Sequence, residues 1–576
     1  MQRDHATAAA PDAEPCLKQL TLWLDSAQPH LPPRKRMAKT TYQAPIAKLP
    51  VELLSYIFIL GAHTPDANDT LTHDGEGSND CNASGPDGRY DISPCVSSSS
   101  TPPDVFASVN RHWREVALGT PQLWTRICVT IGDLMHSGEG KWFPAVSRYL
   151  WRSGKCPLDV YIDARDPDWD FSESDSIGAV ISPYIDETYD YTHPFKVEHM
   201  HYVLNLLVPH IVRMRSLAIL TDRWAPMETA LQCLSLKDPG FVSCPSPFPS
   251  SLPLLESLVL MRCNEFVSYH PQFSPADRRH PAHLPFSGLL AASGRSNVEK
   301  PLLPRLRQLV LSGVHVDWSS LPQLLPSSPT SDGVGVRRLE LSYHCADVRP
   351  REEEFRDILQ ACQRLESLTV RVSGPQSPDS PVSCSPTISA PPIALPRLEA
   401  FELGYDDIYT ATAILDSMDF AQVRHVVLED ASSPARDETL DAERLLLACA
   451  KTTSPTSANY GKPLFPRALS VILRRVDAPA EAFEAFYESL PCLRELTVAQ
   501  MFLLGAKALT DRDVRLTFIP SGGPVSAPSY TPLPIEPAGP PAKVAAEGES
   551  FLGFSAHKIV ARPGPRAFEG GLFAPW

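Results

Sequence analysis

The sequence predicts an α/β chain in which a small three-helix bundle precedes a repeat array carrying a parallel sheet. Three observations lead there. A two-faced helical segment opens near residue 50 and is answered some fifty residues later by a tryptophan-bearing helix. An apolar-x-x-apolar-x-apolar motif then recurs through most of the chain. Helix-forming stretches lie between its copies, so a strand–helix unit repeats.

The bundle begins at Leu49-Pro50-Val51-Glu52-Leu53-Leu54-Ser55-Tyr56-Ile57-Phe58. Proline suits the first helical position, where its missing N–H would be unpaired anyway. Leu53, Ile57 and Leu60 share one face at i, i+4, i+7, and Leu54 with Phe58 forms a second apolar row. A helix with two apolar faces has two things to pack against, its own domain and a partner. Asp104 is the expected N-cap of a second helix with Val105, Val109, Trp113 and Val116 on one stripe. Gly119 is expected to end it in a left-handed cap. Thr120-Pro121 would then open a third, short helix bearing Leu123 and Trp124. Residues 65–103 are rich in Ser, Asp, Gly and Asn, hold too few apolar side chains to order themselves, and read as an acidic flexible insert. Closing such a loop costs little, because closure entropy grows only logarithmically with length.

These residues resemble the F-box, most closely the F-box-like proteins common in mushroom-forming fungi. The match rests on the Leu-Pro-x-Glu-Leu-Leu-x-x-Ile-Phe opening, the Val109-x-x-x-Trp113-Arg114 helix and the Thr120-Pro121-x-Leu123-Trp124 ending, over residues 45–130 or so. Asn110 stands where many F-boxes carry Cys. The resemblance implies a docking module for a Skp-type adaptor, joined through it to a cullin in an SCF-type ubiquitin ligase. It implies adaptor contacts from Leu49, Pro50, Leu53, Leu54, Ile57 and Phe58, and a bundle core of Val109, Trp113, Leu123 and Trp124.

Downstream, the repeat is clearest as Leu255/Leu258/Leu260 and Leu306/Leu309/Leu311. Further copies are Val336/Leu339/Leu341, Leu365/Leu368/Val370, Leu398/Phe401/Leu403, Val423/Val426/Leu428 and Leu493/Leu496/Val498. Weaker ones are Met214/Leu217/Ile219 and Ala468/Val471/Leu473. The closing alternation is a period-two strand signal. Anchors at 306, 336, 365 and 398 are 30, 29 and 33 residues apart, near the leucine-rich-repeat period. Between copies, Glu352 to Cys362 and Ala480 to Leu490 carry helical patterns. The stretch resembles an irregular leucine-rich-repeat solenoid with a parallel sheet. The Asn or Cys of that motif occurs only as Cys263, so no asparagine ladder is expected and the array should be uneven. Trp142 to Asp163, with Phe143, Val146, Tyr149 and Leu150 on a helical face and Leu158, Val160 and Ile162 alternating, reads as the unit capping its open end. Outward strand positions Ser257, Arg338, Glu340, Thr369, Arg371, Glu402 and His425 are the candidate target contacts.

The expected organisation is a disordered basic N-terminal segment at 1–44, an F-box-like unit at 45–132 with the disordered 65–103 insert, a repeat region at 133–519 expected to bind the target, and a disordered Pro-rich tail at 520–576. The chain has 59 prolines in 576 residues, concentrated in loops and at both ends, which signals punctuation and disorder rather than a fibrous fold. A net charge of −15 lacks the basic footprint that broad nucleic-acid binding needs. No apolar run is long enough for a membrane span, and thirteen cysteines without a CxxC pair suit reduced thiols of the cytosol or nucleus. Pro33-Arg34-Lys35-Arg36-Met37-Ala38-Lys39 is a candidate nuclear import cluster or a solvated charge run.

Chemistry is sparse. No phosphate-binding glycine loop or Gly-x-Ser-x-Gly elbow occurs. His199/His201 and His280/His283 lack further ligands nearby, so no metal or cofactor is expected. The acidic pair Asp406-Asp407 and the run Glu352-Glu353-Glu354 fit a turn and a helix N-terminus. The functional expectation is a non-catalytic substrate receptor: the F-box holds adaptor and cullin, and the repeats hold a protein target not identifiable from the sequence. A ligase-independent scaffold with a degenerate F-box is the second reading, and a nuclear regulator the third.

Overall fold

A computed structural model describes residues 45–63, 102–135, 142–166, 193–236, 251–263, 268–270, 272–280, 283–293, 302–325, 335–376, 391–432, 439–451, 461–501, 503–510 and 512–519. The basic cluster at 34–39, residues 65–101 of the insert and the 520–576 tail lie outside the described residues.

Among the described residues, the first α-helices are α1 (Val51–His63), α2 (Pro102–Val109) and α3 (Arg111–Leu118), followed by a 3-10 turn at Pro121–Trp124. Four details differ from the sequence reading. Pro102 and Pro103 already belong to α2, so the insert ends earlier than residue 103. The single helix expected through Val105 and Val116 is broken at Asn110. Its backbone is extended, and its side chain accepts the Trp113 N–H at 2.9 Å, which starts a new helix. Asp104 is therefore a first-turn residue, and its carboxylate meets Arg148 at 3.2 Å and Arg152 at 3.5 Å. Gly119 ends α3 in right-handed geometry at φ −80°, because its N–H still reaches the Glu115 carbonyl at 3.0 Å.

The rest of the described chain is α/β, built on a 12-stranded sheet. The strands are β1 (Arg126–Thr130), β2 (Leu158–Ala164), β3 (Met214–Thr221), β4 (Ser257–Arg262), β5 (Gln308–Ser312) and β6 (Arg338–Ser342). They continue as β7 (Ser367–Arg371), β8 (Ala400–Tyr405), β9 (His425–Asp430), β10 (Ser470–Arg474), β11 (Glu495–Ala499) and β12 (Arg515–Ile519). Each pairs in parallel with its neighbours in chain order. The closing pair of all nine motif copies falls on a strand, from Leu217/Ile219 on β3 to Leu496/Val498 on β11. The sheet starts at Arg126, ahead of the boundary expected at 132, and Ile127 and Val129 of β1 are buried in its core.

Period-two alternation sorts each strand. One set of rows runs through Val160, Leu217, Leu258, Leu309, Leu339, Leu368, Phe401, Val426, Val471 and Leu496 in register. It joins one core with α5 (Pro144–Arg152), α6 (Val197–Leu207), α7 (Trp224–Ser235), α10 (Glu352–Ala361), α11 (Ile408–Asp416), α12 (Glu443–Ala450) and α13 (Ala480–Glu488). Shorter α4 (Ile131–Met135), α8 (Ser287–Ser293) and α9 (Leu321–Leu324) fill out the same series. Leu54, Phe58, Val116 and Trp124 of the helical unit belong to that core too, so bundle and sheet share a continuous interior. Among the described residues, the helices pack on the leucine face, and the other face of the sheet carries none of them.

A second regularity replaces the missing asparagine ladder. The residue just after β5, β6, β7, β10 and β11 takes positive φ: Gly313 (62°), Tyr343 (55°), Val372 (44°), Arg475 (52°) and Gln500 (56°). Each donates its backbone N–H to the carbonyl at the end of the next strand, Tyr343 to Arg371 at 2.8 Å and Val372 to Gly404 at 2.7 Å. The turn backbone is thus satisfied by backbone alone, and no conserved side chain is needed there. Only Gly313 relieves the strain by residue type; a Cβ there would meet the Arg262 carbonyl oxygen at 2.8 Å.

Candidate functional site

Two surfaces stand out, one on α1 and one on the uncovered face of the sheet. On α1, the two apolar rows point oppositely. Leu54 and Phe58 are buried: Phe58 stacks on Phe106 at 4.7 Å and lies 4.9 Å from Trp113. Gly61 permits the close crossing, since a Cβ there would sit 3.2 Å from the Phe106 ring. The other row faces outward, with Leu53 52%, Tyr56 59%, Ile57 46% and Leu60 47% exposed. Four large apolar residues on the outer side of one helix are an unusual exposure for a surface that only meets water.

The predicted adaptor set therefore divides. Leu53 and Ile57 lie on the outer face, with Pro50 exposed and Leu49 half-buried at its N-terminal edge. Leu54 and Phe58 do not belong to it, because they form the bundle's own core. Tyr56 and Leu60 complete it; Leu60 is legible in the i, i+4, i+7 row, whereas Tyr56 carries no periodic signal. Of the predicted core set, Leu123 and Trp124 are buried and Trp113 packs half-buried against Phe58. Val109 is 54% exposed, since the break at Asn110 turns the end of α2 outward. Trp124 anchors the unit to the sheet domain: its indole N–H donates to the Ala117 carbonyl at 2.9 Å. Its ring meets Tyr149 edge-on at 5.0 Å, and the Arg152 guanidinium lies 4.2 Å above it.

On the sheet, all seven predicted outward residues share the uncovered face. Ser257, Arg338 and His425 stand in one register row, Glu340, Thr369 and Glu402 in the next, and Arg371 in the third. Their accessibility differs. His425 is exposed and Ser257, Arg338 and Glu402 half-buried, while Glu340, Thr369 and Arg371 are buried. The burial of Arg371 comes from an ion-pair network missed by the sequence reading. Both arms of its guanidinium meet Glu429, one at 2.7 Å, and Arg474 meets the same carboxylate at 3.3 Å. The Arg371 Nε–H donates to the Tyr343 hydroxyl at 2.7 Å.

The face is two-part. Ala218, Leu220, Val259, Met261 and Val310 on β3–β5 form a separate apolar cluster on this side, and the charged network occupies β6–β10. Tight pairs hold the ends of strands as well: Arg215 and Asp159 across β2–β3, and Arg349 with Asp406 beyond β8. Asp407 caps α11 through the Thr410 N–H at 2.7 Å, which explains the acidic pair structurally.

Chemistry elsewhere is muted. Burial pushes the thiols of Cys233, Cys263, Cys345 and Cys362 up to about 12, so they stay protonated and poorly nucleophilic. His199 is used locally, accepting the Lys196 N–H at 3.0 Å. Among the described residues, no three or more His, Cys, Asp or Glu side chains stand together to hold a metal, and no helix is long and apolar enough to cross a membrane. No protein-family model matches the chain, and no curated protein is found similar to it.

Proposed function

We propose that this chain is the substrate-receptor subunit of an SCF-type cullin ubiquitin ligase. In this reading α1–α3 form an F-box-like module that docks a Skp-type adaptor, and the sheet is an irregular leucine-rich-repeat-like solenoid that holds a protein target. The observation that carries it is the outward apolar face of α1. Leu53, Tyr56, Ile57 and Leu60 offer a partner helix or groove the large side chains that dominate binding energy at interface centres. The uncovered sheet face supports a second, independent surface, on which His425 is exposed and Ser257, Arg338 and Glu402 are half-buried.

Function would then come from proximity. Holding a target lysine near an activated ubiquitin raises its effective concentration and needs no reactive group in this chain. The test is co-purification with a Skp-type adaptor and cullin, beside a Leu53/Ile57/Leu60→Ser variant. Stoichiometric capture by the parent and its loss in a variant of unchanged melting behaviour supports the reading. Capture retained by the variant rejects this face, and no capture by the folded parent rejects the ligase role and leaves a scaffold.

A further inference from the structure

Leu516 and Phe518 carry the leucine rows onto β12, in register with Leu496 and Val498 of β11. Leu496 and Val498 are buried, whereas Leu516 is 40% and Phe518 58% exposed. The core of the array is open at this end. At the opposite edge of the sheet it is closed: Ile127 and Val129 of β1 are buried in the interior that α1–α3 share. An uncovered terminal strand leaves apolar side chains and a row of backbone groups in water, which repeat arrays avoid by capping both ends. We propose that β12 pairs with β12 of a second copy of this chain, antiparallel, about a two-fold axis at Thr517.

The backbone sets the register. Arg515 donates its N–H to the Arg494 carbonyl at 2.8 Å, and the Ile519 carbonyl accepts the Gln500 N–H at 3.1 Å. These two residues turn their backbone groups toward β11, so strand alternation turns those of Leu516 and Phe518 outward. Among the described residues, β12 has no second neighbour to take them. With Thr517 facing its counterpart, Leu516 of each copy stands opposite Phe518 of the other, and each such pair exchanges two hydrogen bonds. Val514 already spends its N–H on the Arg512 carbonyl at 2.9 Å, and Pro520 has none to give, so the pairing stops on both sides of this stretch. A pairing centred on Leu516 would need the N–H that Val514 has spent.

The side chains agree with this register. Leu516 and Phe518 lie on one face of the strand, so the two copies join their leucine rows into a continuous apolar strip. On the other face the exposed Thr517 meets its counterpart as a hydroxyl pair. The two Arg515 side chains then stand about 14 Å apart, beyond strong repulsion, whereas centring the pair on Arg515 would set two cations face to face. The contact covers roughly 400–500 Å² per copy, at the small end of specific interfaces, so association should be weak and concentration-dependent. It is isologous and closes on itself, giving a dimer and no filament.

Sedimentation velocity of the full-length chain across the micromolar range tests it, beside a Phe518→Lys variant. The parent should pass from monomer toward dimer as concentration rises. The variant should weaken the dimer about a hundredfold or more, because two phenyl rings lose their cover and two cations enter. Phe518 is exposed, so the variant should melt as the parent does. A parent that stays monomeric overturns the proposal and leaves the edge to a different chain segment or protein; a dimer untouched by Phe518→Lys overturns it too. Cysteines read the register. Thr517→Cys should give a disulfide-linked dimer on mild oxidation, since facing residues of a non-hydrogen-bonded pair have Cα atoms about 4.5 Å apart. Arg515→Cys should not, and the parent controls for the exposed Cys492. Crosslinking absent at 517, or equal at 515 and 517, rejects the pairing. Neither measurement involves an adaptor or a target, so its outcome is separate from that of the ligase reading.

Discussion

Arg371 on β7 reaches Glu429 on β9 by passing over Gly404, which stands between them in the same register row. A Cβ at Gly404 would lie 2.5 Å from the Arg371 Cγ, so the bridge requires the glycine. All three charged groups of the network, with Arg474, are buried, and a buried charge left without its partner is expensive. Glu429→Gln should therefore lower stability by about 3–5 kcal/mol. Gly404→Ala should do comparable damage alone and little more in the Glu429→Gln background. Urea unfolding of the two single variants and the double variant measures that coupling; additive losses would show that the glycine and the ion pair are independent.

The two faces of α1 should separate cleanly in stability. Phe58→Ala empties a site filled against Phe106 and Trp113 and should cost about 3–5 kcal/mol. Leu53→Ser and Ile57→Ser change exposed positions and should stay within about 0.5 kcal/mol of the parent. Thermal melts of the three variants decide it, and a large loss at Leu53 would mean that the outer face is structural.

Acid should loosen the array through two histidines. Burial pushes His315 down to about 3 and His344 down to about 4. His315 donates its Nε2–H to the Arg278 carbonyl at 3.0 Å and stacks on Trp224, while His344 bridges the Val314 carbonyl and the Ser373 hydroxyl. Because the folded values lie below the ordinary 6.5, the unfolded chain takes up protons first as pH falls. Their contribution is complete above about pH 6.5 and declines toward pH 4, by up to about 1.4 kcal/mol per pH unit for each ring. Unfolding midpoints between pH 7 and 5 should fall less steeply in His344→Asn than in the parent.

Gln500 offers a stabilising change. It is exposed, at φ 56°, directly after β11, and only its backbone N–H is engaged, to Ile519 at 3.1 Å. Glycine removes about 1–2 kcal/mol of left-handed strain and gives back part of it in chain entropy, so Gln500→Gly should gain about 0.5–1 kcal/mol. A lower unfolding midpoint would show that the Gln500 side chain matters to the turn.

Much of the sheet was legible because its signal is local: Leu-x-Leu alternation states both the strand and its buried side, and it located nine strands together with the outward residues Ser257 to His425. What escaped depended on partners far along the chain. The Arg371–Glu429 bridge pairs residues 58 apart, and nothing near Gly404 announces that a guanidinium crosses it. The positive-φ residue after five of the strands was invisible because Tyr343, Val372 and Arg475 are not the residues such geometry favours. On α1 the two rows were readable, but their directions were not. Which row turns inward is decided by Phe106 and Trp113, beyond the insert. Ile127-x-Val129 was too short an alternation to separate β1 from the bundle before it.

The parallel register also has an evolutionary consequence. Residues that fix the helix-side core and residues of the uncovered face occupy alternate positions of the same strands, so a substitution an odd step away from a leucine leaves the leucine rows untouched. The uncovered face can therefore change by single-codon steps along the strands while the leucine rows are held constant. Positions 338, 402 and 425 are the places where such divergence would be tolerated first, and 371, 404 and 429 the places where it would have to occur together.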